Sequence, residues 1–206
     1  MKLAIIGVTG NVGKHILDES LRRGHTVTGI ARDTSKLSPR DGLTLVSGDA
    51  DQPEALASLL KGHDVVISSV PFRSSVPARL IEAVRRSGVK RYLVVGGAGA
   101  LEVAPGKLLL DTPHFAELPE WIRTEALAGK VFFDTLRVVT DLDWTMLSPS
   151  ALFVEGDRTG IFRLGKDTLL TAADGKSWIS FDDYSIALLD EVENPRNVKA
   201  RFTVGY

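Results

Sequence analysis

Leu3-Ala4-Ile5-Ile6-Gly7-Val8-Thr9-Gly10-Asn11-Val12-Gly13 opens with four consecutive apolar residues and closes on the last of three evenly spaced glycines. The apolar run reads as a short strand. Beyond it, Val12, Ile16, Leu17 and Leu21 recur at helical spacing, and the pattern stops near Gly24. A glycine-rich turn therefore joins a strand to a helix, and each glycine has a physical use there. The first permits the tight turn, the second lets backbone approach a pyrophosphate, and the third lets helix and strand pack closely. The helix start adds free N–H donors and a partial positive charge. Gly7, Thr9, Gly10, Asn11, Val12 and Gly13 are thus expected to cradle dinucleotide phosphates.

The same alternation continues outward. Thr26–Ala31, Leu43–Val46, Val65–Val70 and Tyr92–Val95 read as strands rich in β-branched residues, with helices near Pro53–Leu60 and Pro77–Arg86 between the later ones. Pro53 and Pro77 suit a first helical position, and Asp51 with Glu54 is close to a capping box. Strands apolar on both faces and alternating with helices imply an α/β fold, a Rossmann-type doubly wound parallel sheet with helices on both faces. A loop is expected over Gly96–Pro119, then a long helix over about Glu120–Val139 and a strand Trp144–Leu147 ending at Ser148-Pro149. Across 151–180 the pattern changes to short segments at Ile161–Leu164, Thr168–Thr171 and Trp178–Ser180, separated by turn residues. This region is expected to form a small C-terminal substrate lobe within a single domain spanning 1–206. Asp182 is expected to cap a last helix near Tyr184–Val192, before a final strand Arg201–Val204.

About 20 residues beyond the glycine turn, an NAD-specific site places an acidic residue on the ribose 2′-hydroxyl. Here the second strand ends in Ala31-Arg32-Asp33. A guanidinium at Arg32 can pair with a 2′-phosphate and stack on adenine, which favours NADP(H). Asp33 could instead take the hydroxyl role, so NAD(H) stays open. After the third strand, Asp49 and Ala50 in Gly48-Asp49-Ala50-Asp51 are expected near the adenine, although both aspartates could simply form the turn.

Composition narrows the alternatives. Apolar residues make up 44% and charged residues 25% of the 206, the balance of an ordinary globular domain. No apolar run approaches the ~20 residues of a membrane span, and Met1-Lys2 leads directly into the first strand without a signal-peptide pattern, so a cytoplasmic protein is expected. A formal net charge of -1 gives nucleic-acid binding no electrostatic support. With no cysteine and four scattered histidines, thiol chemistry is excluded and no metal is expected. No Gly-x-Ser-x-Gly elbow is present to place a hydrolase nucleophile.

Several of these stretches together resemble the atypical short-chain dehydrogenase/reductases, and most closely the small NAD(P)H-binding proteins described as NADH-flavin reductases, relatives of NmrA-like proteins. The resemblance spans nearly the whole chain. It is carried by Gly7–Gly13, Gly48-Asp49-Ala50-Asp51, Val94-Val95-Gly96-Gly97-Ala98-Gly99, Asp143-Trp144-Thr145, Ser148-Pro149 and Arg201-Phe202-Thr203-Val204-Gly205-Tyr206. It implies a cofactor lying across the strand C-termini, with Ser69, Val70, Gly96 and Gly97 along the nicotinamide side. Ordinary members of the superfamily also use a serine after the fifth strand and a Tyr-x-x-x-Lys pair, in which lysine lowers the tyrosine pKa for proton exchange. Here the loop reads Gly99-Ala100-Leu101 and the helix reads Trp121-Ile122-Arg123-Thr124-Glu125.

Loss of that pair favours a reductase passing hydride from NAD(P)H to a flavin, quinone or similar conjugated acceptor that solvent can protonate. Phe72, His114, Trp121 and Phe153 are the candidates to line the pocket of this small-molecule acceptor, although ordinary packing is the bland alternative for each aromatic. His114 could also donate a proton. The same loss suits a non-catalytic NAD(P)-sensing regulatory protein of the NmrA-like type. Epimerase chemistry on a nucleotide sugar needs the missing tyrosine and a larger substrate domain.

Overall fold

A computed structural model describes all of residues 1–206. In chain order the elements are β1 (Lys2–Ile6), α1 (Asn11–Arg22), β2 (Thr26–Ala31), β3 (Leu43–Ser47), α2 (Pro53–Leu60), β4 (Val65–Ser68), a 3₁₀ turn (Phe72–Ser74) and α3 (Pro77–Ser87). There follow β5 (Arg91–Val95), β6 (Glu102–Ala104), β7 (Lys107–Leu108), a second 3₁₀ turn (Leu109–Asp111), α4 (Pro113–Glu117) and α5 (Glu120–Leu136). The chain finishes with β8 (Asp143–Pro149), β9 (Leu152–Val154), β10 (Arg163–Gly165), β11 (Trp178–Ser180), α6 (Phe181–Glu193) and β12 (Ala200–Gly205). Eight strands form one sheet in the order β10-β12-β8-β5-β4-β1-β2-β3. Every pairing in it is parallel except that of β10 with β12. This is the doubly wound α/β plan expected from the alternation. No helix is long and apolar enough to cross a membrane.

The period-2 geometry of a strand sends alternate residues to opposite faces. Leu3 and Ile5 of β1 join Ile67, Leu93 and Leu147 under α1 and α6, together with Ile16, Leu17, Tyr184 and Leu188. Ala4 and Ile6 join Val66, Tyr92, Val94 and Met146 under α2, α3 and α5, with Leu80, Val84, Phe132 and Leu136. Both faces of the central strands are consumed, which is why their sequences read as unbroken apolar runs. The buried Tyr184 hydroxyl donates to the Leu147 carbonyl at 2.7 Å, and Tyr92 shares a 2.9 Å hydrogen bond with Ser68, so neither phenol is left unsatisfied.

The expectations that changed are local. The stretch 96–119 is not one loop: β6 and β7 pair as a small hairpin and α4 follows, in pieces too short to show a hydrophobic period. Gln52, not Asp51, precedes α2, and Asp51 instead pairs with Arg79 at 3.3 Å. Ser180, not Asp182, caps α6, its hydroxyl accepting from the Asp183 N–H at 3.0 Å. The long helix stops at Leu136. Within 151–180, β9 and β11 pair with each other while β10 joins the edge of the main sheet. Residues 168–171 form no strand, only a bridge from Thr168 to Glu102.

The segment after β9 is tied across α1 and α6 by polar contacts. Asp183, fully buried, accepts from the Thr159 and Gly160 N–H groups and from the Thr159 and Tyr206 hydroxyls. Glu19, 3% exposed, meets Arg22, Arg23 and Arg158. Burial alone would raise the Glu19 pKa, but hydrogen bonds from Arg158 and Arg23 outweigh it and hold the carboxyl down at about 2. A depressed folded pKa gives stability that is complete above the unfolded value near 4.5 and is lost as pH falls toward 2. Glu19→Gln is therefore expected to lower unfolding free energy at pH 7 by on the order of 3 kcal/mol, a difference that closes on acidification from pH 5 to 2. Urea titrations of both proteins across that range measure it, and a difference independent of pH would refute the assignment.

Candidate functional site

β1 pairs with β2 on one side and β4 on the other, so the crossovers leave in opposite directions at the C-terminal end of β1 and open a crevice there. The glycine turn occupies that crevice. Gly7 has φ of +84°, and a Cβ on it would stand 2.2 Å from the Ser69 carbonyl oxygen. A Cβ on Gly13 would stand 2.2 Å from the Gly7 carbonyl oxygen. These two glycines are demanded by the protein's own backbone. Gly10 is different: its nearest neighbour would be the Gly7 oxygen at 3.2 Å, and the residue is exposed. The turn is held from below by the Gly7 N–H donating to Ile30 C=O at 2.8 Å. In α1 the first helical bond runs from Lys14 N–H to Gly10 C=O, no side chain caps the end, and no acidic residue lies in the first turn. The amides of Asn11, Val12 and Gly13 are thus left to an external anion, with Thr9 half-buried and Asn11 exposed beside them. A dinucleotide pyrophosphate fits this cradle.

At the end of β2, Arg32 is exposed, and only its backbone is engaged, the carbonyl accepting from the Ser47 hydroxyl at 3.1 Å. Asp33 uses one carboxylate oxygen, which accepts from the Ser35 hydroxyl at 2.6 Å and the Ser35 N–H at 2.9 Å, and leaves the other free. Those bonds, hydroxyl first, hold its pKa below the usual carboxylate value. After β3, Asp49 uses one oxygen to accept the Asp51 N–H at 3.0 Å, leaving the other free, with Ala50 half-buried beside it. Gly48 brings this turn close, since a Cβ there would lie 2.8 Å from Ile30 and 2.9 Å from Leu59.

On the other flank, Ser69 N–H donates to Ile6 C=O at 2.8 Å and Gly96 N–H to Leu147 C=O at 2.8 Å, fixing the ends of β4 and β5 beside β1 and β8. Val70 lies against the turn, 3.1 Å from where a Gly7 Cβ would be. A Cβ on Gly96 would meet the Leu147 carbonyl at 2.7 Å, whereas one on Gly97 would find nothing nearer than Phe72 at 3.8 Å. Gly10 and Gly97 are thus the glycines here whose small size packing explains least.

The four expected acceptor-pocket residues do not form one cluster. Phe72 is buried, its ring 5.2 Å from Phe132 and seated against Gly129 of α5, where a Cβ would come within 3.0 Å of it. Phe153 points into the opposite core layer, with Phe181 at 4.7 Å and Tyr184 at 4.6 Å. Strand alternation makes its neighbours Leu152 and Val154 the exposed ones. His114 on α4 is exposed, and Trp121 on α5 is 61% exposed. One turn beyond Trp121, Glu125 accepts from the Phe72 N–H at 2.7 Å and the Arg73 N–H at 3.1 Å, one donor on each carboxylate oxygen. Sequence reasoning missed this role of Glu125. The partners lie more than fifty positions apart and are backbone groups, which leave no mark in the sequence.

A further site-flanking residue, His15 of α1, was not foreseen. Its Nδ1 lies 2.8 Å from Asp182 and its Nε2 3.2 Å from Glu155. Burial would lower its pKa, but the two carboxylates together raise it.

The chain is similar to known proteins over its full length. Residues 7–193 match a protein family described as NAD(P)H-binding. The uncharacterized protein YwnB of Bacillus subtilis is 39% identical, the match covering 99% of this chain and 98% of that protein. Among solved structures, a "putative epimerase" from Bacteroides thetaiotaomicron superposes with a TM-score of 0.93 at 37% identity, over 100% of this chain and 96% of that one. A "putative NADH-flavin reductase" from Streptococcus pneumoniae does so at 0.84 and 34% identity, over 100% and 99%.

The two classes of glycine separate experimentally. Gly13→Ala is expected to destabilise the fold by roughly 2 kcal/mol or more, because its Cβ meets backbone that cannot yield. Gly10→Ala is expected to cost under about 1 kcal/mol in stability while weakening dinucleotide binding at least tenfold. Thermal melts with calorimetric titration of NADPH test both, and equal stability losses in the two variants would contradict the distinction.

Proposed function

We propose that this chain, which belongs to the NAD(P)H-binding family, is an NADPH-preferring reductase whose acceptor is a flavin, a quinone or a similar conjugated small molecule. One observation carries the cofactor preference: the Arg32 guanidinium is exposed at the strand end with only its backbone engaged, while the neighbouring Asp33 has turned one carboxylate oxygen to Ser35. A guanidinium recognises a 2′-phosphate by paired charge-assisted hydrogen bonds, which a ribose hydroxyl cannot match.

Bound NADPH would supply a hydride, and the residues of this chain supply its setting. The free amides of α1 and the small Gly10 would hold the pyrophosphate, Arg32 and Asp49 the adenosine end, and Ser69, Val70, Gly96 and Gly97 the nicotinamide end. At the positions of the superfamily's proton-exchanging pair stand Trp121, which carries no titratable group, and Glu125, whose carboxylate is engaged by two backbone amides. A substrate that needs a proton delivered from α5 is poorly served by this helix. A conjugated acceptor taken up at its reactive face and protonated from solvent is well served, and the exposed Trp121 offers a surface on which a planar ring can stack. This agrees with the description borne by the Streptococcus relative.

The reading is tested by titrating purified protein with NADPH and NADH in parallel, then following NADPH oxidation with riboflavin, FMN and a quinone. NADPH is expected to bind more tightly than NADH, and Arg32→Asp to remove that preference with a loss of about tenfold or more for NADPH alone. Acceptor-dependent oxidation above the uncatalysed rate is expected. Tight binding with no turnover on any acceptor would transfer the case to a sensor that reports cofactor state, and absence of binding would overturn both.

A further inference from the structure

We infer that Glu125 is a positioning residue for the nicotinamide half of the cofactor, acting through the segment between β4 and α3; the inference rests on the dinucleotide reading above. The two carboxylate oxygens of Glu125 take one backbone donor each, Phe72 N–H at 2.7 Å and Arg73 N–H at 3.1 Å. These are the first amides of the 3₁₀ turn over Phe72–Ser74, whose end has no side-chain cap of its own. Hydrogen bonds to an ionised acceptor are the stronger kind, and removing the carboxylate would leave two donors to find water. A second contact lies one helical turn further along α5: the Phe72 ring fills the notch that Gly129 leaves, against Phe132. Glycine inside a helix costs roughly 1 kcal/mol relative to alanine, and here the ring is what it makes room for. Carboxylate and notch together latch the segment onto α5.

The latch is mechanically close to the site. Pro71 stands next to Phe72 with φ locked at −61°, and Val70 precedes it. Val70 and the Ser69 carbonyl are the atoms that press on Gly7, 3.1 and 2.2 Å from its missing Cβ. A displacement of Phe72 therefore reaches the wall of the crevice through one rigid residue. The Phe72 ring is also the nearest side chain to Gly97, at 3.8 Å from where its Cβ would be, so the latch borders both the β4 and β5 ends of the cofactor site. It does not border Arg32 or Asp49, which lie across β1 on the ends of β2 and β3.

That asymmetry gives the test. NADPH reports on the whole site, and 2′,5′-ADP on the adenosine end alone. Calorimetric titration of both ligands into wild type, Glu125→Ala and Glu125→Gln is expected to show NADPH weakened about tenfold by the alanine, in the usual range for coupling between sites, with 2′,5′-ADP affinity unchanged. The glutamine variant keeps one carbonyl acceptor and is expected to fall between wild type and alanine. Unchanged NADPH affinity in Glu125→Ala, or equal losses for both ligands, would overturn the positioning role. If the alanine variant does not fold, the same comparison on Glu125→Gln decides. A wild-type protein that binds neither ligand would instead overturn the dinucleotide reading and the inference with it, an outcome distinct from a wild type that binds both and a variant that loses neither.

Discussion

The contact on which the site depends is the approach of two stretches of backbone: Gly7, at the end of β1, lies against the carbonyl of Ser69, at the end of β4. No side chain can stand between them. The parallel pairing of β1 with β4 sets the approach, and the positive φ of Gly7 turns the chain away at once. Gly13 repeats the constraint in the first turn of α1, its Cα packed on the Gly7 carbonyl. The helix is thereby brought down onto the strand with its first amides facing out of the crevice. Strand order and glycine placement together set where the positive end of α1 stands.

Around this device the two faces of the sheet are treated differently. On the α1 and α6 side, polar groups bind the late segments tightly: buried Asp183 gathers residues 159 and 160, Glu19 gathers Arg158, and His15 gathers Glu155 and Asp182. Each buried acceptor has several donors, which is the condition under which burying a carboxylate is tolerable. On the α3 and α5 side the ion pairs, such as Arg86 with Glu54 and Lys130 with Asp134, lie at the surface, and the segment after β4 is held by Glu125 and the Phe72 notch.

How far the sequence speaks follows from the range of the interactions involved. β1, β2 and the central strands were legible because burial on both faces writes itself as runs of Val, Ile and Leu, and α2 because Pro53 marks its start. Caps were misjudged at both Asp51 and Asp182, where several hydroxyl- or carboxyl-bearing residues stand within two positions and only backbone dihedrals choose among them. The hairpin of β6 and β7 was invisible at three and two residues. Phe72 and Phe153 illustrate the same limit at the site. An aromatic near a strand end can face the ligand or the core, and the choice is made by Gly129 in one case and by Phe181 and Tyr184 in the other, residues far away in sequence.

The sequence of α5 gains a physical meaning from these long-range partners. Residues 121, 125, 129 and 132 lie on one stripe of α5. In this chain 125, 129 and 132 are given to holding the segment after β4, by a carboxylate, a missing side chain and a ring in turn. The Glu125 carboxylate accepts the Phe72 and Arg73 amides one on each oxygen, which fixes its orientation on the segment. Trp121, alone of the four, is exposed and takes no part in that grip.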